Sequence, residues 1–208
     1  MIKANHRIFF VKLFDYYISY ILKKDFHNLD FNKEISFDKN KSILYISNHF
    51  SWWDGFFAYF LNNKIFKKKF HVMMLKKELE KRIVFSKIGA FSIEPKSETV
   101  EETLKYVCSL LEDKDNFVLI FPQGRLESNH KNTIKFRKGL EYIIKNTKEP
   151  IQFIFSSILI DYLQNRKPTA YIYLQSEIID KMNNIEDIEK KYNSFYNFSK
   201  EIQKNKYK

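Results

Sequence analysis

Five short apolar runs, Ile43–Ile46, Phe70–Leu75, Phe117–Phe121, Ile151–Phe155 and Ala170–Leu174, are separated by stretches with helical spacing, and this alternation constrains the fold most. Each run is four to six residues long and rich in Ile, Val, Phe and Tyr, and several are apolar without a break. A strand with one wet face alternates apolar and polar residues, whereas an unbroken run suits a strand covered on both faces. Helical patterns fall at residues 54–62, 76–81, 98–111, 138–147 and about 185–204. The order predicts an α/β fold, a mixed and largely parallel β-sheet flanked by helices. In such sheets chemistry usually sits at the carboxyl ends of the strands. No repeat and no Pro/Gly/Ser-rich linker interrupts the chain, so a single domain over residues 1–208 is expected.

Ahead of the first run, apolar residues at 10, 13, 14, 17, 18 and 21 keep one side of a helix, which predicts an N-terminal amphipathic helix. The stretch Ile8–Leu22 is shorter than the ~20 residues a bilayer needs. It also carries Lys12 and Asp15 and lacks a small-residue cleavage site, so neither a membrane span nor a signal peptide is expected. Charge is unevenly placed. Residues 1–24 carry a net +4 and residues 62–87 a net +7, which together account for the whole +11 of the chain. Both stretches mix their Lys with large apolar side chains, as suits an anionic membrane surface. They would equally suit a solvated basic face or nucleic acid, although 31 Lys against five Arg disfavours base and phosphate readout, and no nucleic-acid partner is expected.

One cysteine, Cys108, excludes a disulfide framework and a Cys-rich zinc module, and its apolar neighbours predict a core thiol. The five His, at 6, 27, 49, 71 and 130, show no close metal-ligand spacing, so no metal is expected. There is no Gly-x-Ser-x-Gly elbow. Chemistry therefore falls to the segment after the first run, Ser47-Asn48-His49-Phe50-Ser51-Trp52-Trp53-Asp54-Gly55. A loop entering a helix can fold His49 against Asp54, so that one ring nitrogen meets the carboxylate and the other faces a cleft as a base. By spacing alone the pair reads more readily as a structural histidine than as a catalytic one, and its place at a strand end is what favours the base. A second segment, Phe121-Pro122-Gln123-Gly124-Arg125, ends another run with a turn and a forked donor.

These residues carry a family resemblance. The His49-to-Asp54 segment is similar to the His-four-residues-Asp motif of the glycerolipid (1-acylglycerol-3-phosphate) acyltransferase superfamily. Gly89-Ala90-Phe91-Ser92-Ile93-Glu94 resembles its second block, Phe121-Pro122-Gln123-Gly124 its third, and Phe136-Arg137-Lys138-Gly139 the Phe-Lys-x-Gly stretch that follows. Pro150-Ile151 stands where a weak fourth block falls, and the motif-bearing core is about 42–176. The resemblance implies transfer of a fatty acyl group from a thioester, acyl-CoA or acyl carrier protein, to a hydroxyl of a lipid acceptor. No covalent acyl-enzyme and no bound cofactor is implied. Carried over, His49 is the general base and Asp54 orients it, while Asn48, Lys96, Phe121, Pro122, Gln123, Gly124 and Arg125 are substrate-binding. The implied thioester donor, the lone cysteine and the lack of a recognisable signal peptide lead to the expectation that the chain works on the cytoplasmic face of the cell membrane, held there through residues 1–24 and 62–87.

The departures from the family are informative. The usual Arg of the second block is Pro95, with Lys96 beside it, the usual Glu of the third is Gln123, and Thr-Arg has become Arg125-Leu126. The acyl-transfer half is intact and the phosphate-reading half is altered, so the expected acceptor is not simple lysophosphatidate. The rival readings are a basic nucleic-acid-binding module and a catalytically inactive lipid-binding relative. Trp52 and Trp53 suit either an acyl pocket, a lipid interface or the core.

Overall fold

The computed structural model describes residues 1–95, 98–179 and 184–206. Its elements run α1 (Ile8–Asp25), β1 (Asn28–Phe31), β2 (Ser42–Ser47), α2 (Asp54–Leu61), β3 (Lys69–Leu75), α3 (Lys76–Lys81), β4 (Ala90–Ile93), α4 (Val100–Leu111), β5 (Asn116–Ile120), α5 (Lys138–Asn146), β6 (Ile151–Asp161), β7 (Thr169–Glu177) and α6 (Ile185–Asn205). A π-helical turn, Asn62–Phe66, extends α2, and a 3₁₀ segment, Ile83–Ile88, precedes β4. The sheet order is β1-β7-β6-β2-β5-β3-β4. All pairings are parallel except β6 with β7, so the sheet is the expected mixed, largely parallel one.

Helices cover both faces. Ile43 and Tyr45 of β2 join Phe117 and Leu119 of β5 under α1 and α2, while Leu44 and Ile46 join Val118 and Ile120 under α4, α5 and α6. Every residue of β2 is buried, which is why its sequence shows no polar alternation. Cys108 lies buried on α4, as its neighbours suggested, and burial pushes its thiol up.

Three features depart from the sequence expectation. β1 (Asn28-Leu29-Asp30-Phe31) and β4 (Ala90-Phe91-Ser92-Ile93) are strands of four residues each, broken by polar residues, so neither registers as an apolar run. β6 continues six residues past Phe155 because Ser156 and Ser157, polar in sequence, are fully buried in the sheet. The N-terminal helix is present but apolar on two sides. Ile18, Ile21 and Leu22 face the core, while Phe9 (71% exposed), Leu13, Tyr16, Tyr17 and Tyr20 face outward.

Gly89 joins the 3₁₀ segment to β4 at φ +110, and a Cβ there would lie 1.9 Å from the Phe70 carbonyl oxygen on β3. Strain and clash both fall on backbone, which cannot yield cheaply. Gly89→Ala is expected to cost upwards of about 3 kcal/mol in denaturant unfolding.

His71 on β3 sets a second test. It is 2% exposed, its Nε2 donates to Asn116 Oδ1 at 3.2 Å, and its Nδ1 has no partner among the described residues. Burial first, then the His6 ring at 4.8 Å and Lys69, push its pKa down to about 3. A histidine held below its unfolded value contributes full stability above about pH 6.5 and loses it as pH falls toward 3. The wild type should therefore lose about 2 kcal/mol between pH 7 and pH 5 by this route. Denaturant titrations at the two pH values should show a smaller loss for His71→Gln.

Candidate active site

The loop leaving β2 and the first turn of α2 build the site. Asp54 opens α2, where a carboxylate also meets the positive end of the helix dipole. Its side chain is 0% exposed and accepts four hydrogen bonds. Oδ2 takes the Phe50 N–H at 2.7 Å, the Ser51 N–H at 2.9 Å and the His49 ring at 2.8 Å, and Oδ1 takes the Ser51 hydroxyl at 2.8 Å. The Trp53 N–H donates in turn to Ser51 Oγ at 3.1 Å. This reciprocal Ser-x-x-Asp pairing closes a tight turn ahead of α2, and the turn carries His49 back over the helix start.

His49 Nδ1 faces an acceptor, so it carries the ring proton and Nε2 keeps its lone pair. Nε2 has no hydrogen-bond partner among the described residues, and the side chain is 24% exposed. On the other side the ring stacks on Phe121, centroids 3.9 Å apart and planes within 13°. Phe121 follows β5, the parallel neighbour of β2, so the two motifs meet at adjacent carboxyl ends. The Gly124 N–H donates to the Phe121 carbonyl at 3.0 Å, and Gly124 adopts φ +64, closing a tight turn. The Arg137 N–H donates to the Pro122 carbonyl at 2.9 Å and its Nε to the Gln123 carbonyl at 3.2 Å, fastening the turn to the start of α5.

A family model described as Acyltransferase matches residues 25–157, more than half of the chain. The chain belongs to the acyltransferase family. Among solved structures, the 1-acyl-sn-glycerophosphate (LPA) acyltransferase PlsC from Thermotoga maritima is similar in fold, with a TM-score of 0.64 at 13% identity, over 95% of this chain and 81% of that one. Among curated proteins no match is found.

Within this acyltransferase, several residues singled out from the sequence are bound to other parts of the chain. Asn48 is 2% exposed, and its amide bridges both polar atoms of the Ile158 backbone on β6, at 2.9 and 2.8 Å. Its side chain ties β2 to β6 rather than facing a ligand. Gln123 is 4% exposed and spends its amide on the His49 N–H and on Glu127. Arg125 is exposed and paired with Glu127. Pro122 is buried beneath the turn, and Lys96 lies outside the described residues. The two Trp divide. Trp53 is partly buried and packs edge-on against Phe26 of the core at 5.0 Å, whereas Trp52 is 53% exposed and leans on Phe56 at 4.3 Å. The sequence reading assigns no role to Ser51 or Glu127 and meets Arg137 only within the block that follows the third. The Ser-x-x-Asp spacing would have found Ser51, but no local pattern marks Glu127.

Proposed function

We propose that this acyltransferase moves a fatty acyl group from a thioester, acyl-CoA or acyl carrier protein, to a hydroxyl of a lipid acceptor, with His49 as general base. The observation that carries this is the imidazole itself, fixed through Nδ1 by a buried carboxylate while Nε2 stays free at a partly open strand end. The acceptor hydroxyl gives its proton to Nε2 as its oxygen attacks the thioester carbonyl, and the C–S bond then breaks. The same imidazole returns the proton to the departing thiolate. Asp54 favours the transient imidazolium and keeps the ring in the useful tautomer. These steps use groups of the chain and the two substrates alone.

The acceptor in this reading is a lipid other than simple lysophosphatidate. Pro95 stands where the family usually has Arg, and the guanidinium of Arg125 is already paired with Glu127. The outward face of α1 supports work at an anionic membrane surface on the cytoplasmic side. Ile8, Phe9, Leu13 and Tyr16 are exposed there beside Lys12, and Ile83 and Val84 of the packed 3₁₀ segment add to the patch. In the 62–87 stretch Phe66 and Phe70 belong to the core, so contact through that region rests on its lysines beside the exposed Leu75, Ile83 and Val84. No helix among the described residues is long and apolar enough to cross a membrane.

The test is incubation of the protein with radiolabelled acyl-CoA, and separately with radiolabelled acyl carrier protein thioester, in the presence of a total lipid extract, followed by identification of the labelled product and a panel of purified acceptors. One labelled lipid is expected. Fastest transfer to lysophosphatidate would overturn the acceptor assignment, and label in no lipid from either thioester donor would overturn the activity. Sedimentation with vesicles should need anionic lipid and weaken as salt rises. Binding indifferent to both would remove the membrane surface from the reading.

A further inference from the structure

Asp54 fixes the ring of His49, but a separate set of hydrogen bonds fixes its backbone. The His49 N–H donates to Gln123 Oε1 at 2.8 Å, Gln123 Nε2 donates to Glu127 Oε2 at 3.3 Å, and the Glu127 N–H donates to the His49 carbonyl at 2.9 Å. These bonds close a circuit through both polar backbone atoms of one residue. The remaining carboxylate oxygen, Glu127 Oε1, accepts from Arg125 Nε at 2.9 Å and Lys131 Nζ at 3.0 Å. The Glu127 side chain is only 9% exposed. Hydrogen bonding from Lys131, ahead of that from Arg125 and Gln123, outweighs its partial desolvation and holds the carboxyl below its ordinary value.

The circuit dictates its residue types. Position 123 must accept from an amide and donate to a carboxylate at once, which Gln does and Glu does not. A second carboxylate at 123 would meet the first at the 3.3 Å now spanned by a hydrogen bond. The segment that makes the circuit also carries Phe121, on which the imidazole stacks. One segment therefore sets both the height and the tilt of the ring, and His49 lies on a loop with no strand ladder of its own to do so.

We propose that Glu127 is a positioning residue: through Gln123 and its own amide it locks the His49 backbone, so that Asp54 and Phe121 hold the ring where a proton can be taken. The inference rests on His49 acting as general base. A shift of about 1 Å in such a group can cost on the order of 10²-fold in rate.

Three variants test it: Glu127→Ala, Gln123→Glu and the reciprocal exchange Gln123→Glu/Glu127→Gln. Each single variant should lower kcat by about 10–100-fold with KM within about threefold. The exchange should return kcat to within about threefold of wild type, because a carboxylate at 123 still accepts from His49 and an amide at 127 donates to it. Amide hydrogen exchange at His49, read by NMR, should quicken by about tenfold in the single variants and recover in the double one, with the global unfolding transition unmoved. That readout needs no turnover. A wild type without acyl transfer that still shows the exchange pattern would remove the general-base reading and uphold the positioning role. Unchanged kcat in active single variants, or a double variant no better than the single ones in both readouts, would overturn the proposal.

Discussion

His49→Ala is expected to lower kcat for acyl transfer by roughly 10³-fold or more while the protein stays folded. No other group described at this strand end offers a free basic nitrogen. Asp54 lies beneath the ring with its oxygens directed at four donors, so it cannot take over the proton transfer. The ring is partly exposed, and its loss removes one hydrogen bond and one stacked contact, about 1–2 kcal/mol of stability. Steady-state kinetics with the labelled acceptor, beside vesicle binding of the same variant, separate the readings. An enzyme loses turnover and keeps its membrane affinity. If turnover survives the substitution, His49 is not the base.

Asp54 separates the charge of the site from its architecture. In Asp54→Asn the amide oxygen can stay where Oδ2 is and keep its three donors, while the Ser51 hydroxyl turns round to accept from the new NH₂. The loop should hold its shape, but the imidazolium formed during transfer loses its counter-charge. The expected loss is about 10²–10⁴-fold in kcat with KM little changed. Asp54→Ala is a different experiment. It leaves the N–H groups of Phe50 and Ser51 without their acceptor at a buried site, and a cost of about 3–5 kcal/mol is expected. Thermal unfolding beside kinetics tells the two apart. An Asn variant with full activity would show that Asp54 serves only the loop.

The pairing of His49 with Asp54 was legible because both residues and the turn that joins them fall within six consecutive positions, 49–54. The central strands were legible because helices on both faces leave no polar position in β2. What escaped depends on contacts far apart in sequence. Asn48 reads as a ligand until Ile158, 110 residues away, takes its amide, and Gln123 reads as a substrate-binding position until the His49 N–H, 74 residues away, takes its side-chain oxygen. Ser156 and Ser157 hid the second half of β6 because a buried serine in a covered strand looks like a turn in sequence. The outward face of α1 escaped for the opposite reason. A helix apolar on two sides shows only one stripe to a periodicity argument.

The placement of β1 has a consequence for how the chain is made. Asn28 pairs with Thr169, so the edge strand beside α1 waits for a partner encoded some 140 residues later. At ribosomal rates of about 5–20 residues per second that interval is on the order of ten seconds. Throughout it, the amino-terminal helix is already outside the exit tunnel with Phe9, Leu13 and Tyr16 uncovered. A nascent chain that finds a lipid surface in that interval shields the patch before the last hairpin closes the sheet.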